Sequence, residues 1–305
     1  MKKEKVIITG GTGFLGKSLA NYLTEKEYDV VIIARSHPKI FKGKKIAIWD
    51  GFSLGEWAKE LENAKAIINL AGKSVNCIKT PENCDEILRS RVDSTKIIGE
   101  ALRTISNPPK IWIQMSTAHI YGDSRNRICD ENATLGYGIA PFVGKKWEET
   151  FHENLPKNCR GFVMRTSFVV GKNGGALKKL KQITKLGFGG KTGSGNQGMS
   201  WIHETDFHRI VLEAIQNDKY SGIYNVSAPK PVSNKVFMKT LREVLKTPIS
   251  IFSPTWMTKF GAKYFLKTDA ELALYGRYIH PKKLEKEGFE FHFPELKNAL
   301  ENLIN

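Results

Sequence analysis

The sequence predicts an α/β fold: a Rossmann-type, doubly wound parallel sheet with a smaller, mostly helical C-terminal lobe. Three observations carry this reading. A β-branched run, Val6-Ile7-Ile8, meets the glycine cluster Gly10-Gly11-Thr12-Gly13-Phe14-Leu15-Gly16. An apolar helical repeat follows at Leu15, Leu19, Tyr22 and Leu23, which together read as strand, tight turn and helix. Further short apolar runs then alternate with helical patterns, and they are apolar throughout, as in strands buried on both faces.

The elements follow in order. Asp29–Ile33 reads as a buried second strand ending at Ala34-Arg35-Ser36, and Ile46–Trp49 as a third ending at Asp50. Ser53-Leu54-Gly55-Glu56 has capping-box spacing and predicts a helix carrying Trp57 and Leu61. Ala66–Leu70 is the fourth strand and runs into Ala71-Gly72. A helix is predicted over about 83–104, with Leu88, Val92, Ile98 and Leu102 on one face. Ile111–Met115 is a strand ending at Ser116-Thr117, a helix is predicted around 145–151, and Phe162–Arg165 is a further strand. Ile223–Val226 reads as an edge strand, and from Val232 the pattern is mostly helical, broken by Pro248, Pro254 and Pro281. The expected division is a cofactor domain over 1–231, with parts of 165–231 joining the substrate lobe, and a C-terminal lobe over 232–305.

In parallel sheets, ligands bind beyond the carboxyl ends of strands. Gly10–Gly16, Arg35, Asp50, Leu70–Gly72 and Ser116–Thr117 all fall at such ends. The glycine cluster is ambiguous taken alone. Gly11-x-Gly13-x-x-Gly16 fits a dinucleotide turn, and Gly11-x4-Gly16-Lys17-Ser18 fits the phosphate loop of NTPases. Both place backbone N–H groups and a helix N-terminus at a phosphate. An NTPase also needs an acidic strand end for magnesium, which Ile46–Asp50 could imitate.

Composition narrows the classes. The 305 residues are 41% hydrophobic and 26% charged, ordinary for a globular protein. The net charge of +16 comes mainly from scattered lysines, densest at Lys172, Lys178, Lys179, Lys181 and Lys185. That scatter reads as a solvated surface, so neither a nucleic-acid nor a membrane partner is expected. Cys77, Cys84, Cys129 and Cys159 have no zinc-like spacing and read as reduced thiols. The start Met1-Lys2-Lys3-Glu4-Lys5 is basic, but the apolar run behind it is too short for a signal core. A cytoplasmic protein, monomer or homodimer, is expected.

Thr9–Gly16 resembles the TGGTGFxG turn of the extended short-chain dehydrogenases/reductases, and Asn69-Leu70-Ala71-Gly72 resembles their NxAG signature. Ser116–Gly122 is similar to the SS(S/T)xxxYG segment of sugar-nucleotide epimerases and dehydratases. Ser90–Thr95, Arg165–Gly171, Gly174–Leu177, Gly193–His203 and the tail Gly288–Leu296 resemble one atypical epimerase-like subfamily, sometimes labelled a cell-division inhibitor. The resemblance favours a dinucleotide over an NTPase site, because it alone accounts for Asn69–Gly72 and Ser116–Gly122.

The resemblance implies cofactor contacts from Gly10, Gly11, Thr12, Gly13, Phe14, Leu15, Leu70, Ala71, Gly72 and Arg91. Arg91 reads equally as a surface ion pair with Glu86 or Asp93. An NAD site usually carries an acid at the end of the second strand, whereas this chain has Arg35, which suits the 2′-phosphate of NADP(H). In the family a Ser/Thr hydroxyl polarises the substrate oxygen, and the tyrosine of a YxxxK helix shuttles its proton. Thr117 matches the hydroxyl, and Lys146 (or Lys145) matches the lysine that holds the ribose. The tyrosine is absent, because Pro141 and Phe142 stand four residues before these lysines. Tyr137, in the preceding loop, is the nearest substitute. Trp201 and His203 are expected at the substrate cleft. His203, Asp206 and His208 are metal ligands by type only, and no metal is expected. The function implied is an NADP(H)-dependent oxidoreductase or epimerase-like enzyme for a carbonyl compound or nucleotide sugar. The alternative is a non-catalytic NADP(H) sensor.

Overall fold

The computed structural model describes residues 3–37, 43–124, 126–248 and 250–304, so Met1 and Lys2 of the basic start lie outside it. In chain order the elements are β1 (Lys5–Thr9), α1 (Phe14–Glu25), β2 (Asp29–Ala34), β3 (Lys45–Ile48), β4 (Ala66–Asn69), α2 (Pro81–Thr104) and β5 (Ile111–Thr117). They continue with β6 (Ile128–Cys129), α3 (Ile139–Asn154), β7 (Arg160–Thr166), β8 (Phe168–Val170), α4 (Gly175–Ile183), β9 (Gly198–Met199), β10 (Trp201–His203), α5 (Glu204–Gln216) and β11 (Gly222–Val226). The remainder is β12 (Val232–Ser233), α6 (Asn234–Leu245), α7 (Thr255–Tyr264), α8 (Glu271–Leu274), β13 (Tyr278–Ile279), α9 (Lys282–Lys286) and α10 (Leu296–Ile304).

Seven strands form one sheet in the order β11-β7-β5-β4-β1-β2-β3. Every pairing in it is parallel. Alternate side chains feed two cores, as the two-residue period of a strand requires. Val6, Ile8, Val30, Ile32 and Ile68 meet Leu19, Leu23, Phe207 and Ile210 on one face. Ile7, Val31, Ile33, Ile67 and Trp112 meet Ile97, Ile98, Leu102 and Phe151 on the other. The order reverses between β1 and β4, which opens a crevice at their carboxyl ends.

The helices differ from expectation at their starts. The predicted helix at Ser53 is a 3-10 helix over Glu56–Leu61 capped by Gly55. Asp50 Oδ1 accepts the N–H groups of Phe52 and Ser53 at 2.9 and 2.8 Å, and the Trp57 indole donates to the Ser53 carbonyl at 3.0 Å. Ser53 is thereby committed to the turn and caps nothing. The helix predicted around 145–151 starts earlier, behind Gly138 at φ 103°. Ile223–Val226 is an edge strand of the main sheet.

A second core draws on both sides of position 232: Val170, Leu177, Trp201 and Ala228 join Phe237, Leu241, Leu296 and Leu300. Its junction with the sheet is α5. The His203 side chain caps this helix, Nδ1 accepting the Thr205 N–H at 3.1 Å, and its ring stacks on Phe293 at 3.9 Å. Asp206, fully buried, accepts the N–H groups of His292 and Phe293 at 2.9 Å each and pairs with Arg209 at 3.2 Å. Among the described residues no His/Cys/Asp/Glu group is arranged to hold a metal, so these side chains serve the junction. No described helix is long and apolar enough to cross a membrane.

Two expectations follow from this junction. Asp206→Ala should lower stability by about 3 kcal/mol, because two buried N–H groups lose their acceptor and Arg209 its partner; urea unfolding reads this directly. Burial also pushes His208 down to about 4 and lowers His203 as well. The unfolded chain protonates these rings near pH 6.5 and the folded one does not, so stability falls as pH drops below 6.5. For His208 the fall reaches roughly 3 kcal/mol by pH 4. His208→Phe, which keeps the stack on Tyr22, should flatten that slope in urea melts at pH 7.5 and 5.

Candidate functional site

The crevice is built from glycine contacts at the end of β1. Gly10 has φ +67°, and a Cβ there would stand 2.6 Å from the Leu70 carbonyl. At Gly16 a Cβ would stand 2.5 Å from the Gly10 oxygen. These positions hold turn, helix and β4 end in close contact, which only glycine permits. Gly13 differs: a Cβ there would meet nothing nearer than 3.4 Å. Thr12 and Gly13 are exposed, and α1 begins at Gly13 without a side-chain cap. Its first-turn N–H groups therefore present a bare helix N-terminus, suited to phosphate. The Phe14 ring lies against Gly171 and Gly174, and Leu15 packs on the sheet core, so both hold the turn with their side chains.

Asn69 shapes the next wall. It is fully buried; Oδ1 accepts from Thr9 Oγ1 at 2.6 Å and from the Ala71 N–H at 3.1 Å. Its Nδ2 donates to Gln114 Oε1 at 3.1 Å and Thr95 Oγ1 at 3.3 Å. Leu70–Gly72 is thus bent away from the sheet beside the glycine turn. The Arg91 guanidinium lies behind Gly72, donating from Nη1 to the carbonyls of Lys73 and Ile87 at 3.1 and 2.9 Å. It sits 5.0 Å over the Trp147 ring, and burial lowers it to about 10. The expected ion-pair alternative does not form: Glu86 pairs with Lys73, and Asp93 with Arg89.

Arg35 is exposed at the end of β2 and lines an open cleft of about 540 Å³ with Trp49, Asp50, Leu54 and Trp57. No carboxylate pairs with it among the described residues.

At the end of β5, Thr117 Oγ1 accepts the His119 N–H at 3.1 Å and caps the 3-10 helix Ala118–Tyr121. Its own O–H remains available for a substrate oxygen. Behind it lies a buried network that sequence reasoning missed. Glu148 accepts from Ser116 Oγ at 2.6 Å and from Arg165 Nε and Nη2 at 2.9 and 2.7 Å. Arg165 Nη1 donates to the Tyr121 hydroxyl at 2.9 Å, which donates to Asn225 Oδ1 at 2.8 Å. The hydroxyl is thus occupied on both sides, and burial raises Tyr121 to about 12. The charges at positions 148 and 165 were visible in the sequence, but their pairing spans two elements.

The two candidate lysines of α3 lie in different surroundings. Lys146 lies on the exposed face of α3 in a surface pair with Glu149 at 2.7 Å. Lys145 is half-buried; its Nζ donates to the Gly136 carbonyl at 3.0 Å and lies 5.4 Å from the Tyr137 ring centroid. Pro141, Lys145 and Glu148 share one helix face, and the buried neighbours Gly144 and Trp147 were the available signal. Gly136 packs against Gly122, where a Cβ would stand 2.6 Å from Gly122 Cα. Lys145 and Tyr137 thus lie together at Gly136, which packs against Gly122 at the far end of the 3-10 helix that Thr117 caps. Tyr137 is 93% exposed. Trp201 and His203 are not at a cleft. Trp201 is wholly buried in the second core and His203 caps α5, because strand β10 pairs with β8 beneath the lobe.

Comparison with known proteins adds the following. Residues 6–227 match the NAD dependent epimerase/dehydratase family, and residues 254–303 match a domain of unknown function, DUF1731. The chain is 30% identical over 303 residues to epimerase family protein SAR0825 of Staphylococcus aureus (strain MRSA252), covering 99% of each. It is 30% identical to an Arabidopsis thaliana protein described as epimerase family protein SDR39U1 homolog, chloroplastic, covering 98% of this chain and 86% of that one. The crystal structure of human epimerase family protein SDR39U1 (isoform 2) with NADPH superposes with a TM-score of 0.88 at 28% identity, covering 98% of both. A Corynebacterium glutamicum nucleoside-diphosphate sugar epimerase superposes at 0.78 and 27% identity, covering 99% of this chain and 58% of that one. With the glycine turn, the Asn69 bend and the matched sheet, these findings show that the chain belongs to the NAD dependent epimerase/dehydratase family.

Proposed function

We propose that this protein is an NADP(H)-dependent oxidoreductase or epimerase-like enzyme acting on a carbonyl compound or nucleotide sugar. The observation that supports the proposal is the pairing of Lys145 with Gly136 and Tyr137, on a loop that packs against Gly122 of the segment that Thr117 opens. The bare N-terminus of α1 and the unpaired Arg35 support NADP(H), as does the NADPH held by the human relative. The name of the Corynebacterium relative supports a nucleotide sugar.

When bound, the nicotinamide gives or takes hydride at a substrate carbon. The chain's own residues do the remainder. The Thr117 hydroxyl donates to the reacting oxygen. Lys145, held on the Gly136 carbonyl, keeps a positive charge beside the reacting group and is positioned for the ribose. Tyr137 closes from its loop and exchanges the proton, replacing the tyrosine missing from position 141. Arg91 places a second positive charge behind Gly72, facing the cofactor phosphates. The lobe from about Val232 shapes the substrate side.

The exposure of Tyr137 favours a second reading, in which the protein binds NADP(H) as a sensor without turnover. A panel of carbonyl compounds and nucleotide sugars with NADPH separates the two. Turnover supports the enzyme; tight NADPH binding with no turnover across the panel supports the sensor.

Given turnover, Tyr137→Phe and Thr117→Ala should each lower kcat by about 10²–10⁴ while NADPH affinity is kept. Lys145→Ala should lower kcat similarly and also weaken NADPH, whereas Lys146→Ala should leave both unchanged; the reverse ranking would refute the assignment. Arg35→Ala should weaken NADP+ by roughly 10- to 100-fold and leave NAD+ within about threefold, read by calorimetric titration.

A further inference from the structure

Arg277 differs from Arg165 and Arg160 in how its guanidinium is matched. Arg165 spends its guanidinium on Glu148, Tyr121 and the Glu131 carbonyl. Arg160 donates to the Ala214 and Tyr220 carbonyls and pairs with Asp218. Arg277 is only 9% exposed and its main chain is locked: N–H to the Gly198 carbonyl at 2.9 Å, carbonyl to Ser200 Oγ at 2.8 Å. Its Nε donates to the Gly122 carbonyl at 2.9 Å. Both terminal nitrogens, Nη1 and Nη2, have no hydrogen-bond partner or carboxylate among the described residues. Neither terminal nitrogen is sealed in the interior, so the fork stays open to solvent and free to receive an anion. Burial lowers Arg277 to about 10.

The fork belongs to the reaction end of the crevice. Gly122 closes the turn that Thr117 opens. The charges of Arg277 and of Lys79, from the loop after β4, both bear on the His119 ring between them, which burial holds well below its ordinary range. Lys79 Nζ is spent on the Val75 carbonyl at 2.7 Å. The acidic neighbours do not close the fork. Asp123 is exposed and its Oδ1 accepts the Gly276 N–H, and Glu271 faces Lys79. An open depression of about 560 Å³, lined by Ser194, Lys259, Glu271 and Tyr275, adjoins this segment.

We infer that Arg277 is a specificity-determining residue of the substrate site, its fork receiving an oxyanion, carboxylate or phosphate, borne by the substrate close to the oxygen that Thr117 polarises. The placing of that substrate rests on the proposed function. A planar fork matches two oxygens of either anion.

Calorimetric titration of the full chain with malonate, inorganic phosphate and the neutral malonamide tests this, with and without saturating NADP+. Saturable binding of malonate or phosphate, but not malonamide, is expected, and the stronger anion identifies the group. Arg277→Met should weaken it by roughly 10- to 100-fold. Arg277→Lys, which keeps the charge without the fork, should recover only part. It also serves where the methionine variant does not fold. NADPH affinity should stay within about twofold of wild type in either variant. Absence of saturable anion binding overturns the assignment, as does an affinity unchanged in both folded variants or full recovery by lysine. Failure of wild-type protein to bind NADPH would instead refute the cofactor reading and leave the anion result standing.

Discussion

Everything at the reaction end depends on the buried hydrogen-bond chain through Asn69. One amide joins the end of β1 through Thr9, β5 through Gln114 and α2 through Thr95. Thr95 in turn receives the Trp147 indole N–H at 3.1 Å, which adds α3 to the same chain. In a dry interior an unmatched amide costs as much as several surface contacts contribute. The ends of the strands and the phase of α3 are thereby set together. The glycine turn, the Leu70–Gly72 bend and the Lys145 face are consequences of one arrangement.

The Arg165–Glu148 pair does a similar task on the substrate side. A buried ion pair by itself contributes little, because desolvation offsets the attraction. Here every oxygen and nitrogen of the pair is matched, and the network extends through Ser116, Tyr121 and Asn225. The tyrosine of the Tyr121-Gly122 segment is consumed as a strut between β5, β7 and β11. Its hydroxyl is thereby unavailable for proton exchange, and the loop that carries Tyr137 is braced against this strut by the Gly122–Gly136 contact.

Carboxylates meet some buried guanidinium groups and not others. Arg165 is neutralised within the fold. Arg91 and Arg277 are not, and both lie at the rim of the crevice, one behind Gly72 and one on Gly122. Guanidinium groups without a carboxylate at these two places leave positive charge that an anion can match, as the proposals above use. This is a more local statement than the net charge of +16, most of which is spread over exposed lysines.

The sequence alone determined the sheet and the nucleotide end of the site. Their signals are local: apolar runs of strand length, and glycines at positions where backbone approaches backbone. The bend at Asn69–Gly72 was legible for the same reason, since it ends a strand. Tertiary structure decided the rest. Lys145 and Lys146 differ by one residue, about 100° of helix, and only packing of α3 shows which one faces the site. Trp201 and His203 sit where β10 enters a sheet with β8, so their polar and aromatic character is spent inside the lobe. Arg277 meets Gly122 from 155 positions away. No periodicity or spacing encodes that contact, because it forms only when the lobe closes over the end of β5.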